Sequence, residues 1–170
     1  MIKLLTNTRK IKMDNLDLNI INDDEHPIPR FENLLKCFEL VTAHHNIKTA
    51  SVNVNIISNE EIQQINKDFR DKDYPTNIIS FKFEKPEGLP DDIVDDFLGD
   101  IVIAPKVLEK EAIEQNKNIN DHWYHIFVHG LLHLLGYDHI ENDEAETMEN
   151  LEIQLLAKLN ISNPYLEIEN

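Results

Sequence analysis

Val52, Val54 and Ile56 alternate with Asn53 and Asn55, the two-residue period of a strand with one face buried. Leu16, Leu18 and Ile20 repeat that alternation. Asn77 to Phe83 is rich in Ile and Phe and reads as a third strand. Leu98 to Ala104, apolar apart from Gly99 and Asp100, reads as a fourth, central to a sheet. Elsewhere the period lengthens to that of a helix. Pro29 opens a stripe of Phe31, Leu34, Leu35, Phe38 and Val41 that runs to about His44. Ser58 and Glu61 form a capping box ahead of Ile62, Ile65 and Phe69, and this second helix ends near Arg70. Pro105 starts a third, through Asn116. Asn120 or Asp121 caps a fourth, rich in histidine; Asn142 or Asp143 caps a fifth, which turns Met148, Leu151, Leu155 and Leu156 inward.

The first dozen residues have no clear period and read as an extended lead-in. Residues 84 to 96 hold two prolines, a glycine and four aspartates, and are expected as an exposed, mobile loop. With no internal repeat and no dividing linker, four strands alternating with helices predict one α+β (α/β-like) layer structure in a single domain, residues 1–170.

Size and composition fit that expectation: 170 residues, 41% hydrophobic and 28% charged, suit one globular core. The lone Cys37 excludes an internal disulfide, fits a reducing compartment and reads as a small core residue. The start of the chain does not read as a signal peptide, no run approaches a membrane span, and a cytoplasmic protein is expected. A net charge of −16 sits awkwardly with nucleic-acid binding, which draws on Lys and Arg. Its distribution eases the conflict. Lys67, Arg70, Lys72, Lys82 and Lys85 lie close in sequence, whereas acidic residues concentrate at 91–100 and 141–152.

The chemistry concentrates in His129-Gly130-Leu131-Leu132-His133-Leu134-Leu135-Gly136-Tyr137-Asp138-His139. His129 and His133, four apart, share one helix face. Gly136 follows the last apolar residue, where a left-handed cap ends a helix, and the chain can turn back to bring His139 alongside. Three neutral imidazoles leave a fourth position open, as at a catalytic zinc site, where bound water loses a proton near neutral pH. His125 offers a rival trio with His129 and His133, but a straight helix spreads that set over about 12 Å. His125 is therefore expected to support the site, face substrate or pack; His122 is expected in solvent, and His44 and His45 as cations at a helix end. Tyr137 reads as packing.

The spacing H-x-x-x-H-x-x-G-x-x-H is also that of the metzincin peptidases, but Gly130 stands where they carry the Glu that serves as general base. The full string resembles instead the YbeY family, bacterial ribosomal-RNA maturation factors also described as metal-dependent endoribonucleases. The resemblance runs from about Ile47 to the last helix and includes Phe69-Arg70, Thr76-Asn77-Ile78-Ile79-Ser80-Phe81 and Leu98-Gly99-Asp100-Ile101. It implies a mixed four-stranded sheet covered by helices, with a zincin-like metal helix and the site at one edge. It also implies Arg70 as the family's characteristic arginine, and ribosomal RNA, small-subunit ribosomal proteins and an assembly GTPase as partners.

Metal-assisted hydrolysis of single-stranded RNA is the expected reaction. His129, His133 and His139 hold one ion, Zn²⁺ by preference, and Arg70 offers its planar fork to the phosphoryl oxygens. Asp138 takes the water's proton or, as the stronger expectation, braces a ligand histidine. Thr76 and Ser80 either touch phosphate or serve turn and strand packing. Two other classes stay open: a peptidase-like zinc hydrolase with its base elsewhere, and a non-catalytic assembly factor whose metal is closed off by His125 or Asp138.

Overall fold

The computed structural model describes residues 8–13, 15–90 and 96–166. In chain order the strands are β1 (Thr8–Met13), β2 (Leu16–Ile21), β3 (Ala50–Ile56), β4 (Ile78–Lys82) and β5 (Phe97–Ile103). The helices are α1 (Phe31–His44), α2 (Asn59–Arg70), α3 (Pro105–Glu114), α4 (Ile119–Leu134) and α5 (Asn142–Ala157). The strands form one sheet in the order β1-β2-β3-β5-β4. β2, β3 and β5 run parallel, while β1 and β4 join antiparallel at the two ends, so the sheet is mixed.

The four expected strands are all present. The lead-in adds a fifth, β1, zipped to β2 through backbone pairing that needs no side-chain period. In β3 the alternation is complete: Ala50, Val52, Val54 and Ile56 are buried and the residues between them are half-buried. That buried face joins the main core with α1, α4 and α5, where Trp123, Phe38, Phe127 and Leu131 are fully enclosed. The other face, at its β4–β5 end, is covered by α2 through Ile62, packed with Ile79, Val102 and Ala104. Cys37 lies wholly inside the main core, and burial pushes its thiol up to about 12, as suits a packing residue.

Ser58 and Glu61 make the expected capping box, with the Glu61 N–H donating to Ser58 Oγ at 3.2 Å and the Ser58 N–H to Glu61 Oε2 at 2.9 Å. Two caps differ from expectation. α4 is capped by Asn118, whose Oδ1 accepts the N–H groups of Asn120 at 2.9 Å and Asp121 at 3.2 Å. Glu141 occupies the cap position of α5 without a side-chain bond. In both helices the expected capping residues sit in the first turn, where Asp121 and Asp143 complement the positive end of the helix. Of the expected acidic loop, residues 84–90 are exposed and form no helix or strand, and 91–95 lie outside the described residues. Among the described residues no helix is long and apolar enough to cross a membrane.

One contact fixes how closely β4, β5 and α4 assemble. Gly99 in β5 has φ +146, and a Cβ there would lie 2.1 Å from the Phe81 carbonyl oxygen and 2.9 Å from Leu134 Cδ2. Gly99→Ala should therefore destabilise the protein by about 2 kcal/mol or more, through strain and overpacking against backbone. Urea unfolding measures this; a loss within experimental error would mean that the strands part more easily than this packing implies.

Candidate metal centre

α4 is apolar on nearly every side: Trp123, Ile126, Phe127, Val128, Leu131, Leu132 and Leu134 are all buried. Each buried side chain of this size contributes about 1.5–3 kcal/mol, so tilting the helix off the sheet would forfeit several such contributions. His129 and His133 leave this core only at the β4 edge and are half-buried. Gly130 allows the approach to β4, for a Cβ there would lie 2.5 Å from Ile78 Cδ1, and its carbonyl accepts a hydrogen bond from Ser80 Oγ at 3.0 Å.

The helix ends as the glycine implied. Gly136 takes φ +96, its N–H donates to the His133 carbonyl at 3.0 Å, and the Tyr137 N–H donates to the Leu132 carbonyl at 3.1 Å. This paired closure is a Schellman cap, and it throws the chain back over its own last turn. Ring centroids then stand 4.5 Å apart for His129 and His133, 5.5 Å for His129 and His139, and 5.0 Å for His133 and His139. One nitrogen from each ring falls in a set whose members all lie within 4.8 Å of one another, a group that could hold a metal ion.

The hydrogen bonds of the His129 and His133 rings suit such an ion. The Tyr137 carbonyl can only accept, so His133 Nδ1, 2.9 Å away, is the donor. His129 Nδ1 donates to Glu152 Oε1 at 2.5 Å. In the neutral rings both Nε2 atoms are then lone pairs, and they face each other at 2.9 Å. Two lone pairs at that distance repel unless a cation lies between or beside them. Burial first, then the charge His129 would carry if protonated, pushes His133 toward the neutral form, with the Tyr137 carbonyl opposing.

Glu152 comes from α5 and is 0% exposed. Besides His129 it accepts from His125 Nε2 at 3.3 Å and from the Tyr165 hydroxyl. Burial alone would raise its pKa; the hydrogen bonds of His125 and His129, the charge of His129 and the Tyr165 hydroxyl outweigh that and bring it from 4.5 to about 2. Tyr165 is pushed up, by burial and by donating to this carboxylate.

The three histidines share a cleft of about 490 Å³ with Arg70, Thr76, Asn77, Ser80, Lys82 and Asp138. Asp138 Oδ1 accepts the His139 N–H at 2.7 Å and lies 3.6 Å from His139 Nδ1. His125 stays outside the trio, its ring 6.5 Å from that of His129 and turned to Glu152. His122 corrects the expectation of a solvent position: it is 3% exposed, under α3, with Nε2 3.7 Å from Glu111 Oε2. His45 has partners beyond the helix-end role expected of it, since Nδ1 donates to the Val41 carbonyl at 2.7 Å and Nε2 lies 2.8 Å from the Tyr137 hydroxyl. Tyr137 thus anchors the returning turn. Glu152 and Tyr165 were not expected from the sequence. The available signal was an acidic residue inside the inward stripe of Met148, Leu151 and Leu155, a position that is costly without partners.

Fold and site together define a class: an α+β protein that presents a three-histidine group, able to hold a metal ion, at the edge of a mixed sheet. A family model described as Endoribonuclease YbeY matches residues 18–160. The chain is 74% identical over 162 residues to the Endoribonuclease YbeY of Francisella tularensis subsp. holarctica strain LVS, covering 95% of this chain and 96% of the relative. It is 73% identical over 158 residues to that of subsp. novicida strain U112, covering 93% and 98%. The chain belongs to the YbeY family. Among solved structures, the solution structure of TM1509 from Thermotoga maritima matches with 27% identity and a TM-score of 0.48, covering 79% of this chain and 90% of that one.

Because the Glu152 carboxyl falls from 4.5 to about 2 on folding, its contribution to stability is complete above pH 4.5 and is lost as pH falls toward 2. Glu152→Gln should flatten the dependence of unfolding free energy on pH across that window in metal-free protein. Urea titrations at stepped pH test this, and parallel profiles for the two proteins would contradict it.

Proposed function

We propose that this chain is a single metal-dependent hydrolase domain, residues 1–170, that cuts single-stranded RNA internally. Its natural substrate on this reading is ribosomal RNA of the small subunit, in maturation and ribosome quality control in the cytoplasm. The observation that carries the reading is the convergence of His129, His133 and His139 with the two facing Nε2 lone pairs. Relatives named endoribonucleases at 74% identity support the reaction class. Three imidazoles and no thiolate suit Zn²⁺. When bound, such an ion polarises a phosphoryl oxygen and lowers the pKa of water.

The chain's own residues do the positioning. Glu152 and the Tyr137 carbonyl hold the rings of His129 and His133 with their free nitrogens forward. Asp138 places a carboxylate oxygen 3.6 Å from His139 Nδ1, beside that ring. Arg70, on the wall of the same cleft, presents its guanidinium to the phosphate on which negative charge grows.

Two observations weigh against the rival classes. The surroundings of Gly130 are filled by Ile78 and Ser80, leaving little room for the acidic base of a metzincin. Among the described residues no fourth His, Cys, Asp or Glu joins the group, which suits an open position better than a closed structural site. Small-subunit proteins and an assembly GTPase belong to the same reading as docking partners.

Zinc-loaded protein should bind one ion and cleave a single-stranded oligoribonucleotide internally. His139→Ala should lose both metal and cleavage. Arg70→Ala should keep the metal while slowing turnover by roughly 10²–10³-fold. Fully loaded protein that leaves RNA intact would overturn the reading, and digestion of casein instead would favour the peptidase.

A further inference from the structure

α2 delivers Arg70 to the cleft and sets its neighbour Phe69 on the surface, where the ring is 70% exposed. Tyr74, in the loop that follows, is 53% exposed. The Phe69 ring is held by a neighbour, and Tyr74 is held through its backbone. Phe69 packs edge-on against Phe81, with centroids 5.2 Å apart and planes at 72°. Phe81 lies on β4 between Ser80 and Lys82, both of which line the cleft from the strand's other side.

The loop is tied from beneath. Asn66, 1% exposed, donates through Nδ2 to the Tyr74 carbonyl at 2.8 Å. Gln63 Nε2 donates to Asp73 Oδ1 at 3.1 Å, and Lys67 Nζ lies 3.5 Å from Asp73 Oδ2. Asp71 closes α2 in the left-handed conformation, φ 56. A loop whose backbone is anchored by a buried amide needs less ordering on binding. In a chain of net charge −16, this stretch also carries Arg70, Lys72 and, across the β4 edge, Lys82.

Single-stranded nucleic acid is bound by cations that meet its phosphates and flat apolar faces that meet its bases. Here Arg70 lines the cleft, and the exposed rings of Phe69 and Tyr74 come from the residue before it and the loop just after it. We propose that Phe69 and Tyr74 form a stacking platform for a base of the RNA strand whose phosphate lies at Arg70. β4 ends the sheet, so a strand crossing its outer edge meets the cleft on one flank and the platform on the other. The rings read a π-face, which every base has, so the platform sets affinity and register without selecting sequence. This inference rests on the RNA-cleaving reading above.

The test is the affinity of full-length, zinc-loaded protein for a fluorescent oligouridine with cleavage-resistant phosphorothioate linkages, followed by anisotropy over a range of salt. Phe69→Ala combined with Tyr74→Ala should weaken binding about ten- to a hundredfold. The slope of log affinity against log salt should stay unchanged, because lost stacking releases no counterions. Arg70→Ala should instead reduce that slope by about one. Phe69→Trp should bind as well as the parent, and circular dichroism should report an intact fold for each variant. Unchanged affinity in the double variant overturns the platform and leaves the rings to a protein partner; weakened affinity with a shallower salt slope overturns it as well. Parent protein that fails to bind the oligonucleotide overturns both this inference and the function it rests on. Ring-dependent binding by a protein that never cuts unmodified RNA sinks the nuclease reading alone, whereas cutting with affinity indifferent to the rings sinks the platform alone.

Discussion

The arrangement depends on one steric permission: at Gly130 helix α4 brings no side chain of its own to strand β4. Ile78 and Ser80 fill the space that a longer residue would take, and the Ser80 hydroxyl bonds the Gly130 carbonyl directly. That approach brings His129 and His133 to the rim of the sheet while the rest of the helix stays in the core. Gly99 permits the matching closeness between β5 and β4. The same contact leaves little room for the acidic neighbour found in metzincins.

A second constraint is electrostatic. A carboxylate with no exposure, such as Glu152, carries a desolvation cost of several kcal/mol unless its oxygens find donors. Here the donors are His129, His125 and Tyr165, drawn from α4 and from the segment after α5. Satisfying the acid also fixes the tautomer of His129, so the requirement that stabilises the core also sets which nitrogen faces the cleft. The Tyr137 carbonyl does the same for His133.

Much of this was legible because local rules carry it. Alternation in β3, the Ser58–Glu61 box and the Gly136 stop each act within a few residues, and each formed as its pattern implied. The trio followed from the same local geometry, once the distance along a straight helix set His125 aside. What escaped is what tertiary context decides. β1 is held by backbone pairing to β2 and has no periodic signature of its own. His122 is buried by α3, which nothing in its neighbourhood along the chain reveals. Glu152 lies 23 residues beyond His129, and Tyr137 meets His45 across 92 residues. A polar residue on an apolar stripe marks such a site, but it does not name the partner.

Those long separations bear on how the protein is made. The eleven-residue histidine string, cut out and studied as a peptide, would keep its spacing and lose both the acid behind His129 and the anchor beneath Tyr137. A chain emerging from the ribosome likewise completes the string well before Glu152 and Tyr165 have appeared to set the first ring. On the reading proposed above, tight capture of the ion therefore waits until Glu152 and Tyr165 have been made.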